Sequence, residues 1–317
     1  MRRALVLSGG GAKGSWQVGA CQHLIVERGL WFDVIAGVSA GAVNAAALAQ
    51  ARDPDELAAE LEHLRSVWFG LRGSHDIYRR RWLGALGTVL ARRASLYHAA
   101  PLHAILTRHV DPARVATSPI RLRIGYVDLL SGRYRTAGNE HPTLVDAVLA
   151  SCALPLIFPP VPLGDGHELA VDGGLRSATP LADALDVLAE TRAPSPGDEP
   201  DEVWVLAPHV AGPIAQPRLH NWLWVALRSI SVLTSAPLPD GDTRAADAAT
   251  APPAGVRLHV LHPREQLRGP SLDFDPRKVR RWYEDGLDTA RRAADAADAA
   301  DAADLGLEPE LQHDVPP

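Results

Sequence analysis

Between Ala4 and Gly41 the chain passes twice from an apolar strand through a glycine turn into a helix, and this restricts its fold more than any other feature. Ala4-Leu5-Val6-Leu7 leads into Gly9-Gly10-Gly11-Ala12-Lys13-Gly14, and Asp33-Val34-Ile35-Ala36 leads into Gly37-Val38-Ser39-Ala40-Gly41. Strands that alternate with helices predict a parallel sheet in an α/β fold.

The two turns also carry chemistry. The first can present backbone N–H groups to an anion. The second is a G-x-S-x-G elbow, which exposes a serine hydroxyl at a tight strand-to-helix turn. Its flanking glycines leave room for strand and helix to approach, and Ser39 sits at a helix N-terminus that favours developing negative charge. The plain alternative is that Ser39 caps its helix. The first loop also fits G-x-G-x-x-G, but a dinucleotide site wants an acid at the end of the second strand, and Asp33 precedes that strand. A Walker A loop fails because Gly14 follows Lys13. The loop is therefore read as an oxyanion hole over Gly9, Gly10, Gly11, Ala12, Lys13 and Gly14, with the N–H groups of Gly10, Gly11 and Ala12 as donors. Lys13 itself is read as a solvated lysine on the first helical turn, its other role being to position the loop.

Size and composition agree with an ordinary soluble globular protein. The chain has 317 residues, 46% hydrophobic and 22% charged, enough for a substantial core. A net charge of −6 gives no reason to expect nucleic acid as a partner. Two cysteines, Cys21 and Cys152, are too few for a disulfide framework and fit a reducing compartment. The apolar stretch after Met1-Arg2-Arg3 is too short for a signal peptide, and Val34–Ala49 carries too many small and polar residues for a membrane span. A cytoplasmic protein is expected.

Along the chain, helices are predicted over 14–28, from Ser39 onward, over 53–68, 101–109, 143–152, 181–190 and 276–292. Strands are predicted over 120–127, 133–136 and 169–171, with buried strands over 203–207 and 256–261. Gly70–Arg93 reads as a basic-flanked amphipathic insertion, with the roles of lid or membrane-docking surface set against a helix packed on the domain; the packed helix is preferred. His220–Leu233 reads as a Trp-containing helix, while 193–200 and 237–253 read as loops. Residues 293–317, with their Ala-Ala-Asp repeats, form a solvated low-complexity tail.

Ser39 needs a base. Thirteen histidines are present, yet none sits in a motif. His63, His103 and His220 fall on helix faces, His141 and His167 in turns, and His209 and His262 beside prolines. The distinctive acid is Asp172, which closes a short strand and is followed by Gly173 and Gly174. Buried, it could act as general base; alone, it would read as a turn aspartate.

With both glycine motifs upstream, the chain resembles the patatin-like phospholipase family. The resemblance rests on four blocks in family order: Gly9–Gly14, Gly37–Gly41, Ala150-Ser151-Cys152-Ala153-Leu154-Pro155-Leu156-Ile157-Phe158-Pro159-Pro160-Val161, and Asp172-Gly173-Gly174. Ser8 stands where members often have Asp. The resemblance implies a three-layer α/β/α fold with a mainly parallel sheet, a catalytic core over 4–185, and 186–292 as the C-terminal part of the same domain. It implies a Ser39–Asp172 dyad that hydrolyses acyl esters of phospholipids through an acyl-enzyme, with the elbow formed by Gly37, Val38, Ala40 and Gly41. No cofactor and no metal are implied. The expected partner is a phospholipid or other acyl ester, with peripheral contact to a membrane as the second expectation. The alternatives are an esterase or thioesterase on soluble or neutral-lipid substrates, and a nucleotide- or phosphate-binding module built on Gly9–Gly14.

Overall fold

The first strand sorts its side chains between two cores. In β1 (Arg3–Leu7), Ala4 and Val6 point into one apolar cluster, and Leu5 and Leu7 into another. A strand with both faces covered must be apolar at every position, which is why the run is continuous rather than alternating. The computed structural model describes residues 1–80, 95–191, 199–209 and 255–304.

After β1 a single 3-10 turn (Gly11–Lys13) leads into α1 (Gly14–Cys21), which continues through a wider helical turn to Glu27. Then follow β2 (Val34–Gly37), α2 (Ala40–Leu48) and α3 (Pro54–Gly70). Asp53 caps α3 by accepting the Glu56 N–H at 2.8 Å, and Pro54 opens it. A two-residue ribbon joins β3 (Arg79–Arg80) to β4 (Tyr97–His98). Helices α4 (Ala100–His109) and α5 (Pro112–Thr117) precede the antiparallel pair β5 (Arg121–Asp128) and β6 (Tyr134–Ala137). Next come α6 (Leu144–Ser151), the hairpin β7 (Val161–Leu163) and β8 (Glu168–Asp172), and α7 (Leu181–Thr191). The chain returns to the sheet with β9 (Asp201–Leu206) and β10 (Val256–Leu261), and α8 (Pro276–Asp304) follows.

The strands form one sheet in the order β10-β9-β1-β2-β5-β8-β7, with β6 also on β5. From β10 to β5 every pairing is parallel. Helices α1, α2, α3 and α6 pack on the Leu5/Leu7 face, and α7 packs on the Ala4/Val6 face against Val34, Ala36, Val203 and Val205. The expected three-layer α/β architecture with a mainly parallel sheet is what the chain adopts.

Register explains the site. Gly37, the last residue of β2, pairs with Ile124, which also pairs with Ala137 of β6. Tyr126 pairs with Arg135 of β6 and with Asp172 of β8. Strands β2 and β8 therefore follow one another along one edge of β5, and β6 takes the other. Because β5 outruns β2, antiparallel β8 fills the remaining edge. Its last residue, Asp172, arrives just beyond the end of β2, where Ser39 stands.

Two expectations change. The 256–261 strand is not buried: β10 pairs only with β9 among the described residues, and Val260 is 41% exposed. The last helix does not end near Arg292 but runs on to Asp304. The 81–93 part of the insertion, the 193–198 part of the 193–200 loop, the 237–253 loop, the 220–233 helix and residues 305–317 lie outside the described residues.

Candidate active site

Ser39 joins β2 to α2 with its backbone at φ 56° and ψ −125°. Such a conformation costs a non-glycine residue about 1–3 kcal/mol. Its glycine neighbours are required by contact: a Cβ on Gly37 would lie 2.3 Å from the Gly41 carbonyl oxygen, and one on Gly41 would lie 2.0 Å from that of Leu7. Three bonds hold the strained residue. The Ser39 N–H donates to Ser151 Oγ at 2.9 Å, Ser151 Oγ donates to the Gly125 carbonyl at 2.6 Å, and the Cys152 thiol donates to the Ser39 carbonyl at 3.2 Å. Burial and the charge of Asp172 push the Cys152 thiol pKa well up, so the sulfur keeps the proton it donates. The capping alternative fails, because the Ser39 side chain makes no bond to its own helix. It acts on the Asp172 carboxylate instead, holding that pKa below the value burial alone would give.

Asp172 is 4% exposed. Burial raises its pKa to about 6, against the pull of the Gly174 N–H, 2.8 Å from Oδ1, and of the Ser39 hydroxyl. It is a turn residue as well, accepting that N–H at the start of the Gly173–Leu175 turn. Gly173 is seated against the Gly125 carbonyl, which a Cβ would meet at 2.4 Å. No histidine hydrogen-bonds Ser39 or Asp172 among the described residues; His63 pairs with His109, and His103 with Asp146.

The Gly9–Gly14 loop flanks the serine. A Cβ on Gly9 would lie 3.4 Å from Ser39 Cβ. The loop's amides are not equivalent. Gly9 N–H donates to Ala178 O at 2.9 Å, Ala12 N–H to Ser271 O at 2.7 Å, and Lys13 N–H to Gly10 O at 3.2 Å. Only the N–H groups of Gly10 and Gly11 are without a partner among the described residues. Ala12 therefore drops out of the expected donor set, since its hydrogen is already committed. Lys13 is not solvated: it is 7% exposed, and burial lowers its pKa.

A buried amide network supports this loop from below. Gln17 Nε2 donates to the carbonyls of Ser8 and Leu206, at 2.7 and 3.1 Å. Asn44 Nδ2 donates to Gly14 O and Gln17 Oε1, and Trp68 Nε1 donates to Asn44 Oδ1. Every polar atom of both amide side chains is used, so the network rigidifies rather than penalises the core.

Asp33 sits at the other end of the sheet, accepting the Arg3 N–H at 2.9 Å. It is remote from the glycine loop, which removes the acid a dinucleotide site would need. Among the described residues no group of three or more His, Cys, Asp or Glu side chains is arranged to hold a metal ion, and no helix is long and apolar enough to cross a membrane. What the residue pattern did not reveal are the braces. Ser151 and Cys152 lie in a recognisable block with no role attached, and the carbonyls of Ala178 and Ser271 have no sequence signature at all.

The site and sheet define an α/β protein with a serine elbow faced by a buried aspartate. Over residues 5–185, more than half of its length, the chain matches the family model of the patatin-like phospholipases, and it belongs to that family. A curated relative named cGAMP-activated phospholipase, from Escherichia coli, is 29% identical over 199 residues, covering 56% of this chain and 53% of the relative. The chain thus spans about half the length of that protein. Among solved structures, VipD from Legionella pneumophila is 14% identical with a TM-score of 0.45, covering 93% of this chain and 67% of that one. The ExoU–SpcU complex from the type III secretion system of Pseudomonas aeruginosa gives 15% and 0.33, covering 93% and 51%.

Proposed function

We propose that this chain is a serine lipid acyl hydrolase, of phospholipase A or lysophospholipase type, that works through Ser39 and Asp172. One observation carries the reading: a strained elbow serine stands beside the end of β8, where burial raises the Asp172 carboxylate pKa to about 6. Above that pH the carboxylate is ionised and can take the proton as Ser39 Oγ attacks an ester carbonyl. The carbonyl oxygen becomes an oxyanion beside the N–H groups of Gly10 and Gly11; one such donor lowers a barrier by about 3 kcal/mol. Collapse of the tetrahedral intermediate breaks the ester C–O bond, and Asp172 returns its proton to the leaving alcohol. Water then attacks the acyl-Ser39 carbonyl, losing its proton to Asp172. Ser39 leaves reprotonated, and the fatty acid is released.

Family membership supports an acyl ester of a lipid as substrate, and the relative's name supports a phospholipid. A fluorophosphonate probe should modify Ser39, identified by peptide mass spectrometry. Ser39→Ala and Asp172→Asn should each lower hydrolysis of mixed phospholipids by about a thousandfold or more. Labelling elsewhere, or full activity in either variant, overturns the dyad. Loss of all activity at one folded His→Ala variant would replace it with a triad.

A further inference from the structure

The segment that joins β10 to α8 presses on the glycine loop. Its Ser271 carbonyl accepts the Ala12 N–H at 2.7 Å and lies against Gly11, where a Cβ would meet that oxygen at 2.1 Å. Gly11 holds φ 58°, so this contact fixes a turn that only glycine adopts easily. The Gly11–Ala12 peptide is thus set by Ser271, directly beside the unpartnered N–H groups of Gly10 and Gly11. Ser271 itself is exposed, as are residues 268–270 before it. Packing of its own side chain therefore does not hold the carbonyl in place.

Two hydroxyls hold the next carbonyl instead. Tyr78 Oη donates to Leu272 O at 2.7 Å, and Ser74 Oγ donates to it at 3.1 Å. Both lone pairs of that oxygen are then used. Ser74 Oγ also accepts the Phe274 N–H at 3.2 Å, and the Asp273 N–H donates to Pro270 O at 3.1 Å, which closes a turn over 270–273. Phe274 is buried and stacks on Trp68, with ring centroids 6.2 Å apart. Peptide units are planar and stiff, so a grip on Leu272 O within a closed turn also sets where Ser271 O stands.

Tyr78 is braced from the other side of the site. Its ring meets Tyr97 and Phe158 edge-on, with centroids 4.9 and 5.7 Å away. Tyr97 N–H donates to Ile157 O at 3.0 Å, and in the same segment Ala153 O accepts the Asp172 N–H at 3.1 Å. The segment that seats Asp172 fixes the tyrosine ring, and the tyrosine hydroxyl fixes the turn that seats the glycine loop. Neither Ser74 nor Tyr78 lies in the four sequence blocks.

We propose that Tyr78 and Ser74 are positioning residues for the oxyanion. Their hydroxyls hold the 270–273 turn, so that Ser271 keeps the glycine loop in the conformation that offers the N–H groups of Gly10 and Gly11. The inference rests on the hydrolase reading above. An oxyanion hole works because its donors are fixed before charge develops, so loosening them weakens the transition state more than the bound substrate. A clamp that served the fold alone would change stability and leave that difference untouched.

The kinetic test uses Tyr78→Phe, which keeps the ring and removes the hydroxyl, and Ser74→Ala. On a soluble p-nitrophenyl acyl ester, kcat should fall about tenfold in Tyr78→Phe while KM stays within about twofold. An alkyl trifluoromethyl ketone, whose adduct with Ser39 carries the oxyanion, should inhibit more weakly by the same factor. The matching methyl ketone, which binds without adding the serine, should inhibit as before. Ser74→Ala should move the same quantities in the same direction. Full kcat in both folded variants, or equal weakening of both ketones, overturns the proposal. If Tyr78→Phe fails to fold, Ser74→Ala decides.

Hydrogen exchange reads the clamp without catalysis. The Ala12 N–H should exchange about tenfold faster or more in Tyr78→Phe, while the Gly9 N–H, held by Ala178, keeps its rate. Unchanged Ala12 exchange overturns the proposal. If the wild type hydrolyses no ester, the hydrolase reading fails, and the exchange rates still decide whether the two hydroxyls hold the loop.

Discussion

Asp172 shows how burial gives one residue opposite effects on activity and stability. Its pKa is about 3.8 in the unfolded chain and about 6 in the fold. The folded state therefore holds the proton more tightly, and the stability this contributes is full below pH 3.8 and lost as pH rises through 6. At pH 8 the charged, buried carboxylate costs up to about 3 kcal/mol relative to a neutral group. Asp172→Asn, which keeps an oxygen for the Gly174 N–H, should then be inactive yet more stable than wild type at pH 8. The difference should close toward pH 4 in urea denaturation. Wild-type kcat/KM should climb through about pH 6 to a plateau. Ser151 sets the geometry rather than the proton. Ser151→Ala leaves the Ser39 N–H and the Gly125 carbonyl unpaired, and should lower kcat about tenfold to a hundredfold with little change in KM. The two positions differ in legibility. Asp172 stands out because two glycines follow it, but the burial on which its role as a base depends comes from the β5–β8 pairing. Ser151 looks like any serine at the end of a helix until the fold turns it toward the elbow.

At the scale of elements, α1 and α8 cross with their backbones in contact. A Cβ on Gly19 would lie 1.9 Å from the Tyr283 carbonyl oxygen, and a Cβ on Gly286 would lie 1.9 Å from that of Trp16. This reciprocal pair lets the last helix cover the one that carries the glycine loop, and Trp16 Nε1 donates to Asp285 at 2.8 Å across the contact. Gly286→Leu must push the helices apart and should destabilise by at least about 3 kcal/mol. Gly70→Ala, where nothing lies within 4 Å, should be neutral or slightly stabilising in the same denaturation series. Helix starts were plain from Asp53-Pro54 and from the glycine turns, because caps act within a few residues. The α1–α8 contact was not, since Gly19 and Gly286 are far apart in the chain and each looks like an ordinary helix-weakening glycine.

For the whole molecule, the strand that begins the chain is an interior strand of the sheet. β1 lies between β2 and β9, so its outer hydrogen bonds come from residues 201–206. The Ala12 N–H is likewise held by Ser271. A fragment of residues 1–191, which contains all four sequence blocks, should fail to fold, giving no cooperative thermal transition in circular dichroism and no fluorophosphonate labelling. The first 41 residues and the triplet at Asp172 were enough to determine the class of fold, the elbow and the facing acid. Those are local signals: a tight turn needs glycine, a buried strand needs apolar residues, and an exposed serine needs both. Tertiary structure alone decided which loop amides stay free among the described residues, which carboxylate loses its water, and that Lys13 is buried rather than solvated. Each of these is a property of what surrounds a group, and the surroundings come from segments up to 259 residues away, as Ser271 is from Ala12 (271 − 12).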